Sequence, residues 1–355
     1  MKGDRSMKAA VLHGNEDVRY EEIATPEVKP GTVRVRVRAC GICGSDIPRV
    51  LHNGAHNYPI VLGHEFAGVV DAVGEGVTNV CVGDTVSGAP LAPCMKCDDC
   101  QNGNFSLCKH YSFIGSRQNG AFADYVVIPA VNAVKYDPSI PFVKAAMFEP
   151  ATVGLHGLML SDYKGGETVA ILGGGTIGLL TMQWAKIFGA KKVVVFDILR
   201  DRLELALKLG ADAVIHSRED DVPARIAELT DGRGFGRVFE TAGNVVTLKQ
   251  AFEIAGNKAT VCYIGTPHND VTFTPKEWEW LNRKELRVYG SWMSYSAPFP
   301  GKEWELVAHY FATGQLKCDD ALIDKVFPMS RAGEAFALYK TPGAVKGKLM
   351  LVNED

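Results

Sequence analysis

Residues 31–41, GTVRVRVRACG, form a short run of β-branched residues interleaved with polar ones, and the run predicts a strand. FAGVVDAVGEGV, GDTVSG and ADYVVIPAVNAV continue the pattern as short β-branched runs broken by Gly, Pro, Asn and Asp, which predicts a compact β domain up to about residue 150. From GGETVAILGGGTIGLLTMQWAKIFGAKKVVVFDIL onward the texture changes. Apolar runs now alternate with helical stretches, and strands are predicted at 168–172, 192–197, 212–215, 236–240, 260–264 and 286–290. That alternation is the pattern of a doubly wound parallel sheet. The tail from about residue 293 returns to mixed texture. The expectation is an α/β chain with a β domain at 1–150, rejoined by 293–355, and a parallel-sheet domain at 151–292.

Composition narrows the function classes. The chain has 355 residues, 46% of them hydrophobic, and a net charge of −3. This describes a globular protein with room for two domains. No basic block or basic amphipathic helix suggests nucleic acid or a lipid surface as partner. The start, MKGDRSMKAAVLHG, carries no apolar signal core, so a cytoplasmic location is expected, with Met7 a candidate natural start. Nine cysteines without a signal peptide point to metal binding more than to disulfides.

The sequence TVAILGGGTIGLLTMQWAKIFGA places Gly173, Gly175 and Gly178 directly after an apolar strand and at the start of a helix. Glycine at these three places permits the tight turn, the approach of a pyrophosphate to the backbone and close helix–strand packing. An acidic residue, Asp197, follows about twenty residues on, at the end of VVVFD. Its carboxylate suits ribose hydroxyls and repels a 2′-phosphate, so NAD is favoured over NADP. Thr176, Ile177 and Arg202 are further candidate cofactor contacts.

Cys94, Cys97, Cys100 and Cys108 follow C-x2-C-x2-C-x7-C, a spacing that lets one loop wrap four thiolates around a Zn²⁺. Four sulfurs close the coordination shell, so this zinc would be structural; an iron–sulfur cluster is the competing use of the spacing. A second donor set suits an open site. Cys43 in GICGSD, His64 and Glu65 in LGHEFAG, and Glu149 in MFEPATVGLH offer thiolate, imidazole and carboxylate. Singly, each also fits a core or surface role, and the dinucleotide site tips the balance toward chemistry.

GICGSD, PIVLGHEFAGVV, VGDTV, the four-cysteine lobe, FEPATVGLHG, GGGTIG and FETAG occur in one order over nearly the whole chain. In that order they resemble the zinc-dependent medium-chain dehydrogenases, and Glu149 resembles the polyol (sorbitol-type) branch. The resemblance implies a GroES-like β catalytic domain interrupted by a Rossmann domain, with the active site in the cleft between them. It implies a catalytic zinc on Cys43, His64 and Glu149, with Glu65 either a direct ligand or a carboxylate that exchanges with zinc-bound water. Ser45 matches the hydroxyl that takes the alcohol's proton. Pro48 departs from the pattern, since many alcohol dehydrogenases carry a relay histidine there.

NGAHNYPIVLGHEF, FIGSRQNGAFADY and GSWMSYSAPFPGKEW are similar to members acting on sugar-alcohol phosphates. The implied reaction is NAD-dependent oxidation of galactitol 1-phosphate to tagatose 6-phosphate, the alternative being an unphosphorylated polyol or diol such as sorbitol, xylitol or 2,3-butanediol. A non-catalytic NAD-binding sensor is the contrasting class, and the second donor set argues against it. The partners expected are a small polyol phosphate and a second copy of the chain, as homodimer or homotetramer. A phosphate needs cations. The cations are Arg49 in DIPRVLHNGAHNYP, Arg117 in FIGSRQNGAF and Lys302 in FPGKEW, and Arg117 is the first choice, with Trp292 and Tyr295 as candidate lining.

Overall fold

The computed structural model describes residues 6–318 and 322–353. They form two compact units. One comprises the chain up to Glu149, Tyr295–Gly314 and the chain from Cys318; the other comprises Pro150–Ser294 and Gln315–Lys317. Among the described residues no helix is long and apolar enough to cross a membrane.

The first unit is built on strand Thr32–Gly41, where Val33, Val35 and Val37 are fully buried while the intervening arginines face outward. It pairs antiparallel with Glu65–Val73, with Tyr125–Pro129 and with the final strand Lys348–Val352. Phe66, Phe122 and Leu12 fill the core between this sheet and the hairpin Ser6–Gly14/Asp17–Ala24. One consequence of the pairing positions the chemistry: Gly41 lies opposite both Glu65 and Met350, so the ends of three neighbouring strands meet at one corner.

The second unit is a six-stranded parallel sheet ordered Ala213–His216, Lys192–Asp197, Thr168–Leu172, Phe235–Glu240, Ala255–Tyr263, Arg287–Gly290. The chain starts in the middle, winds to one side, then crosses to the other, which is the doubly wound order of a Rossmann sheet. Each central strand is a near-continuous apolar run, as a sheet covered on both faces requires. Five predicted strands agree with these bounds to within a residue. The fifth begins at Ala255, five residues before its expected start, because Lys258 takes a positive φ of 61° and donates its N–H to Lys284 O, carrying the strand past an irregularity that breaks the apolar alternation.

Candidate active site

Cys43 follows the end of strand Thr32–Gly41 by two residues, and His64 immediately precedes, and Glu65 opens, the strand beside it. Strand register therefore brings them together. One donor atom from each of Cys43, His64 and Glu65 lies within 4.8 Å of the others. The Gly41 backbone makes room: a Cβ there would stand 2.3 Å from Glu65 Oε2.

The cluster is short of partners in the way a cation site is. Glu65 Oε1 accepts a hydrogen bond from Lys348 Nζ at 2.7 Å, while Oε2 is buried without a partner. His64 Nδ1 stands 3.6 Å from Asp46 Oδ1, and both atoms are buried without a hydrogen bond. Asp46 is in turn held by the Cys43 N–H at 3.0 Å, which ties the imidazole and the thiol to one turn. Burial, and then the negative charge of Glu65, push the Cys43 thiol well up. A bound Zn²⁺ would reverse that, since a ligating thiol is deprotonated. Thiol, imidazole and a spare carboxylate oxygen fit zinc.

Glu149 is not in this three-donor set, although the expected ligand set included it. It is the second residue of helix Phe148–Leu160, whose first residue packs against Tyr136 and Phe311 at ring distances of 5.3 and 4.9 Å. Its carboxyl is buried and pushed up to about 7 by that burial, against the pull of His64. The structure thus places Glu65 nearest to Cys43 and His64, with Glu149 in electrostatic reach of the same imidazole.

Ser45 Oγ lies 3.3 Å from Cys43 Sγ. Arg49 Nη1 donates to Ser45 Oγ at 2.8 Å and to Ser45 O at 2.7 Å. Where Pro48 removes a histidine, the residue after it brings a guanidinium onto the same hydroxyl. The sequence had offered Arg49 only as a loose cation.

The four-cysteine loop closes on itself. Cys97 Sγ stands 3.5 Å from Cys100 Sγ and 3.8 Å from Cys108 Sγ, and all four sulfurs fall within 4.8 Å of one another. Zinc–sulfur bonds of about 2.3 Å set tetrahedral edges of about 3.8 Å, so these separations fit a closed zinc site. They are far too long for disulfides, and all nine cysteines are free. Met95, at φ 59°, turns the backbone. The Cys94 thiol is held down to about 6, chiefly by a hydrogen bond from the Lys96 backbone.

In the second unit Gly173 takes φ 103°, and a Cβ on Gly178 would strike Gly173 O at 1.8 Å. Gly175 caps helix Thr176–Ile187 and has nothing within 4 Å of where its Cβ would be, which leaves the turn open to a pyrophosphate. Asp197 Oδ2 accepts the Gly174 N–H at 2.7 Å, and Oδ1 accepts those of Ile198 and Leu199. Arg202 Nη1 is 3.6 Å from Asp197 Oδ2. The acid predicted for the ribose therefore also holds the glycine turn in place.

Of the residues expected at the substrate, Arg117 is exposed and lies over the Tyr111 ring at 4.5 Å. Tyr295 is buried, its oxygen accepting the Leu91 N–H at 2.9 Å and its ring stacked between Phe299 and Trp304. That oxygen and ring are engaged in packing. Trp292 is 51% exposed, and Lys302 begins helix Lys302–Ala312 on the surface.

Comparison with known proteins identifies the family. Residues 29–138 match the alcohol dehydrogenase GroES-like domain, and residues 176–309 match the zinc-binding dehydrogenase domain. Galactitol 1-phosphate 5-dehydrogenase of Escherichia coli (strain K12) is 42% identical over 347 residues, covering 98% of this chain and 100% of that protein. The chain belongs to the zinc-dependent medium-chain dehydrogenases. This dehydrogenase is also 34% identical to the sorbitol dehydrogenase of Bacillus subtilis (strain 168), over 81% of its own length and 82% of the relative's. The crystal structure of galactitol-1-phosphate dehydrogenase from Escherichia coli superposes with a TM-score of 0.93 at 40% identity, covering 98% of this chain and 100% of that one. The protein is thus an oxidoreductase of the polyol dehydrogenase family, with zinc and NAD as its cofactors. Sequence reasoning missed Asp46, Lys348 and Gly41. A lysine opening the otherwise apolar KLMLV strand was the one available signal, because a buried ammonium demands a buried partner.

Proposed function

We propose that this dehydrogenase oxidises a sugar-alcohol phosphate to a ketose phosphate with NAD, galactitol 1-phosphate to tagatose 6-phosphate. The observation that carries the reading is an open donor cluster at Cys43, His64 and Glu65 on the same unit as arginines with unspent donors. The full-length similarity to a galactitol 1-phosphate 5-dehydrogenase supports the same substrate.

Cys43, His64 and one of the carboxylates Glu65 and Glu149 would hold the catalytic zinc, which supplies Lewis-acid stabilisation of an alkoxide. Lys348 engages Glu65 through Oε1, which leaves Oε2 for the metal or its water. Ser45 Oγ would accept the substrate's hydroxyl proton while releasing its own to water or the cofactor ribose, and the Arg49 guanidinium, donating to that oxygen, holds it in place. Gly173, Gly175, Thr176, Ile177 and Gly178 would bind the cofactor pyrophosphate, and Asp197 with Arg202 the adenosine end. Bound NAD supplies the hydride acceptor. Cys94, Cys97, Cys100 and Cys108 would hold a structural zinc. Arg117 is proposed at the substrate phosphate.

The exposed edge strand Arg287–Gly290, with Val288, Trp278 and Trp292 each at least 42% exposed, supports self-association of the chain. Nine unbridged thiols favour the cytoplasm.

NADH formation across a panel of galactitol 1-phosphate, galactitol, sorbitol, xylitol and 2,3-butanediol tests the substrate. The expected result is a kcat/KM for galactitol 1-phosphate at least a hundredfold above the others. Equal or better turnover of sorbitol would assign the protein to unphosphorylated polyols.

A further inference from the structure

Glu240 ends strand Phe235–Glu240 and is fully buried. By register it stands level with Leu172 on one neighbouring strand and Tyr263 on the other, where the three central strands of the parallel sheet run out. Its side chain reaches forward. Oε1 accepts the N–H groups of Ala242 at 3.0 Å and Gly243 at 2.9 Å and the Thr247 hydroxyl at 2.7 Å. Its main-chain oxygen accepts the N–H groups of Ile264 at 2.8 Å and Gly265 at 3.0 Å. One residue therefore fastens the turn after its own strand, 241–244, to the turn after the next, 264–266.

The following residue ties in the glycine turn. Thr241 donates its N–H to Leu172 O at 3.0 Å, and its hydroxyl lies 2.9 Å from that oxygen and 3.1 Å from Gly173 O. The turns approach too closely for side chains. A Cβ on Gly243 would stand 2.4 Å from Thr266 O, and one on Gly265 would stand 2.2 Å from Gly243 N and 2.6 Å from Glu240 Oε2. A carboxyl is a costly group to bury among neutral donors. Burial pushes that of Glu240 above the usual carboxylate range, against the pull of the Thr247, Ala242 and Gly243 donors, and Oε2 is buried with no hydrogen-bond partner. An apolar side chain would fill the space without that cost, but it could not accept three donors on one atom.

The place in the fold says what the device serves. A dinucleotide lies past the carboxyl ends of the strands where the strand order reverses. That reversal falls between strand Thr168–Leu172 and strand Phe235–Glu240. With the adenosine end at Asp197, on the far side of the glycine turn, the other half of the cofactor is left the turns that follow Glu240 and Tyr263. We propose that Glu240 is a positioning residue for the nicotinamide half of NAD, holding the turns 241–244 and 264–266 in their binding form by accepting hydrogen bonds. It rests on the orientation of the cofactor given above and adds the residue that presets the second half of the site. Turns already fixed need not be ordered when the cofactor binds, which saves affinity.

The test measures Kd for NADH and for ADP, which keeps the adenosine and both phosphates and lacks the nicotinamide riboside. Calorimetry on the zinc-loaded wild type, Glu240→Leu, Glu240→Gln, Thr247→Val and Asp197→Ser supplies both constants, with circular dichroism and zinc content to check folding. Glu240→Leu strands several buried donors, so its Kd for NADH should rise roughly tenfold or more while that for ADP stays within about twofold. Glu240→Gln keeps an acceptor and should stay near wild type. Amide hydrogen exchange in 241–244 and 264–266 should quicken in Glu240→Leu and not in Glu240→Gln. Thr247→Val removes one donor and should raise the Kd for NADH by a smaller factor. Equal losses on NADH and ADP would make Glu240 a general support of the domain and overturn the proposal, as would a Gln variant as weak as the Leu variant. If Glu240→Leu does not fold, an unchanged Kd for NADH in Thr247→Val overturns it. Asp197→Ser should weaken both ligands, and a loss confined to NADH would overturn the orientation of the cofactor, and the proposal with it.

Discussion

Lys348 Nζ donates to Glu65 Oε1 at 2.7 Å, and the two side chains are only 7% and 1% exposed. The ammonium also donates to Ile42 O at 3.2 Å, and the carboxylate holds the lysine firmly charged despite its burial. The pair orients one Glu65 oxygen and leaves the other beside Cys43 and His64. Removing one member of a buried pair strands the other, at a cost of about 3–5 kcal/mol. Lys348→Met should lose about that much stability in denaturant unfolding of the zinc-loaded protein. The double variant Lys348→Met/Glu65→Gln should lose markedly less than Lys348→Met alone. Additive losses would mean the two groups do not depend on each other.

Gly41→Ala tests the space kept for Glu65. The new methyl would meet Oε2 at 2.3 Å, on a strand paired on both sides that cannot swing away. The variant should keep the four-cysteine zinc and lose the other, falling from two metal ions per chain to one, with activity down at least a hundredfold. Retention of two zinc ions with full activity would show that Glu65 Oε2 plays no part in the metal site.

The two donor sets should fail differently. Cys43→Ser sits in a corner that three strands build, so the protein should stay folded and lose activity and one zinc. Cys97→Ser removes a ligand from a loop whose buried apolar side chains are few, so it should lose the other zinc, aggregate and show a Tm lower by roughly 5–10 °C. Thermal unfolding with metal analysis of both variants distinguishes them. A Cys97→Ser protein with unaltered Tm and two zinc ions would remove the structural assignment.

Asp197 is expected to set cofactor choice while also bracing the glycine turn through its bonds from Gly174, Ile198 and Leu199. Asp197→Ser should therefore weaken both cofactors, NAD more than NADP. The NAD-to-NADP ratio of kcat/KM should fall by roughly tenfold or more, since a charge that repels the 2′-phosphate is gone. Wild-type enzyme that prefers NADP would overturn this role.

The Rossmann sheet was legible in the sequence because its signals are local. A buried parallel strand is a continuous apolar run, and the glycine turn must follow it within a few residues. The four-cysteine loop was legible for the same reason: its thiols span fifteen residues, and spacing alone brings them together. Strand Thr32–Gly41 announced itself through its β-branched run, although nothing in that run revealed that Gly41 would face Glu65 and Met350. Those pairings are set by register, which depends on how distant segments bury their faces against each other. The same register put Lys348, 283 residues away in the chain, onto Glu65 and brought Glu65, ahead of Glu149, to the side of Cys43 and His64. Donor types and short-range motifs were written in the sequence by itself. Which carboxylate meets the thiol, and which arginine reaches Ser45, depended on side-chain packing between segments far apart in sequence or on rotamers that no periodicity encodes.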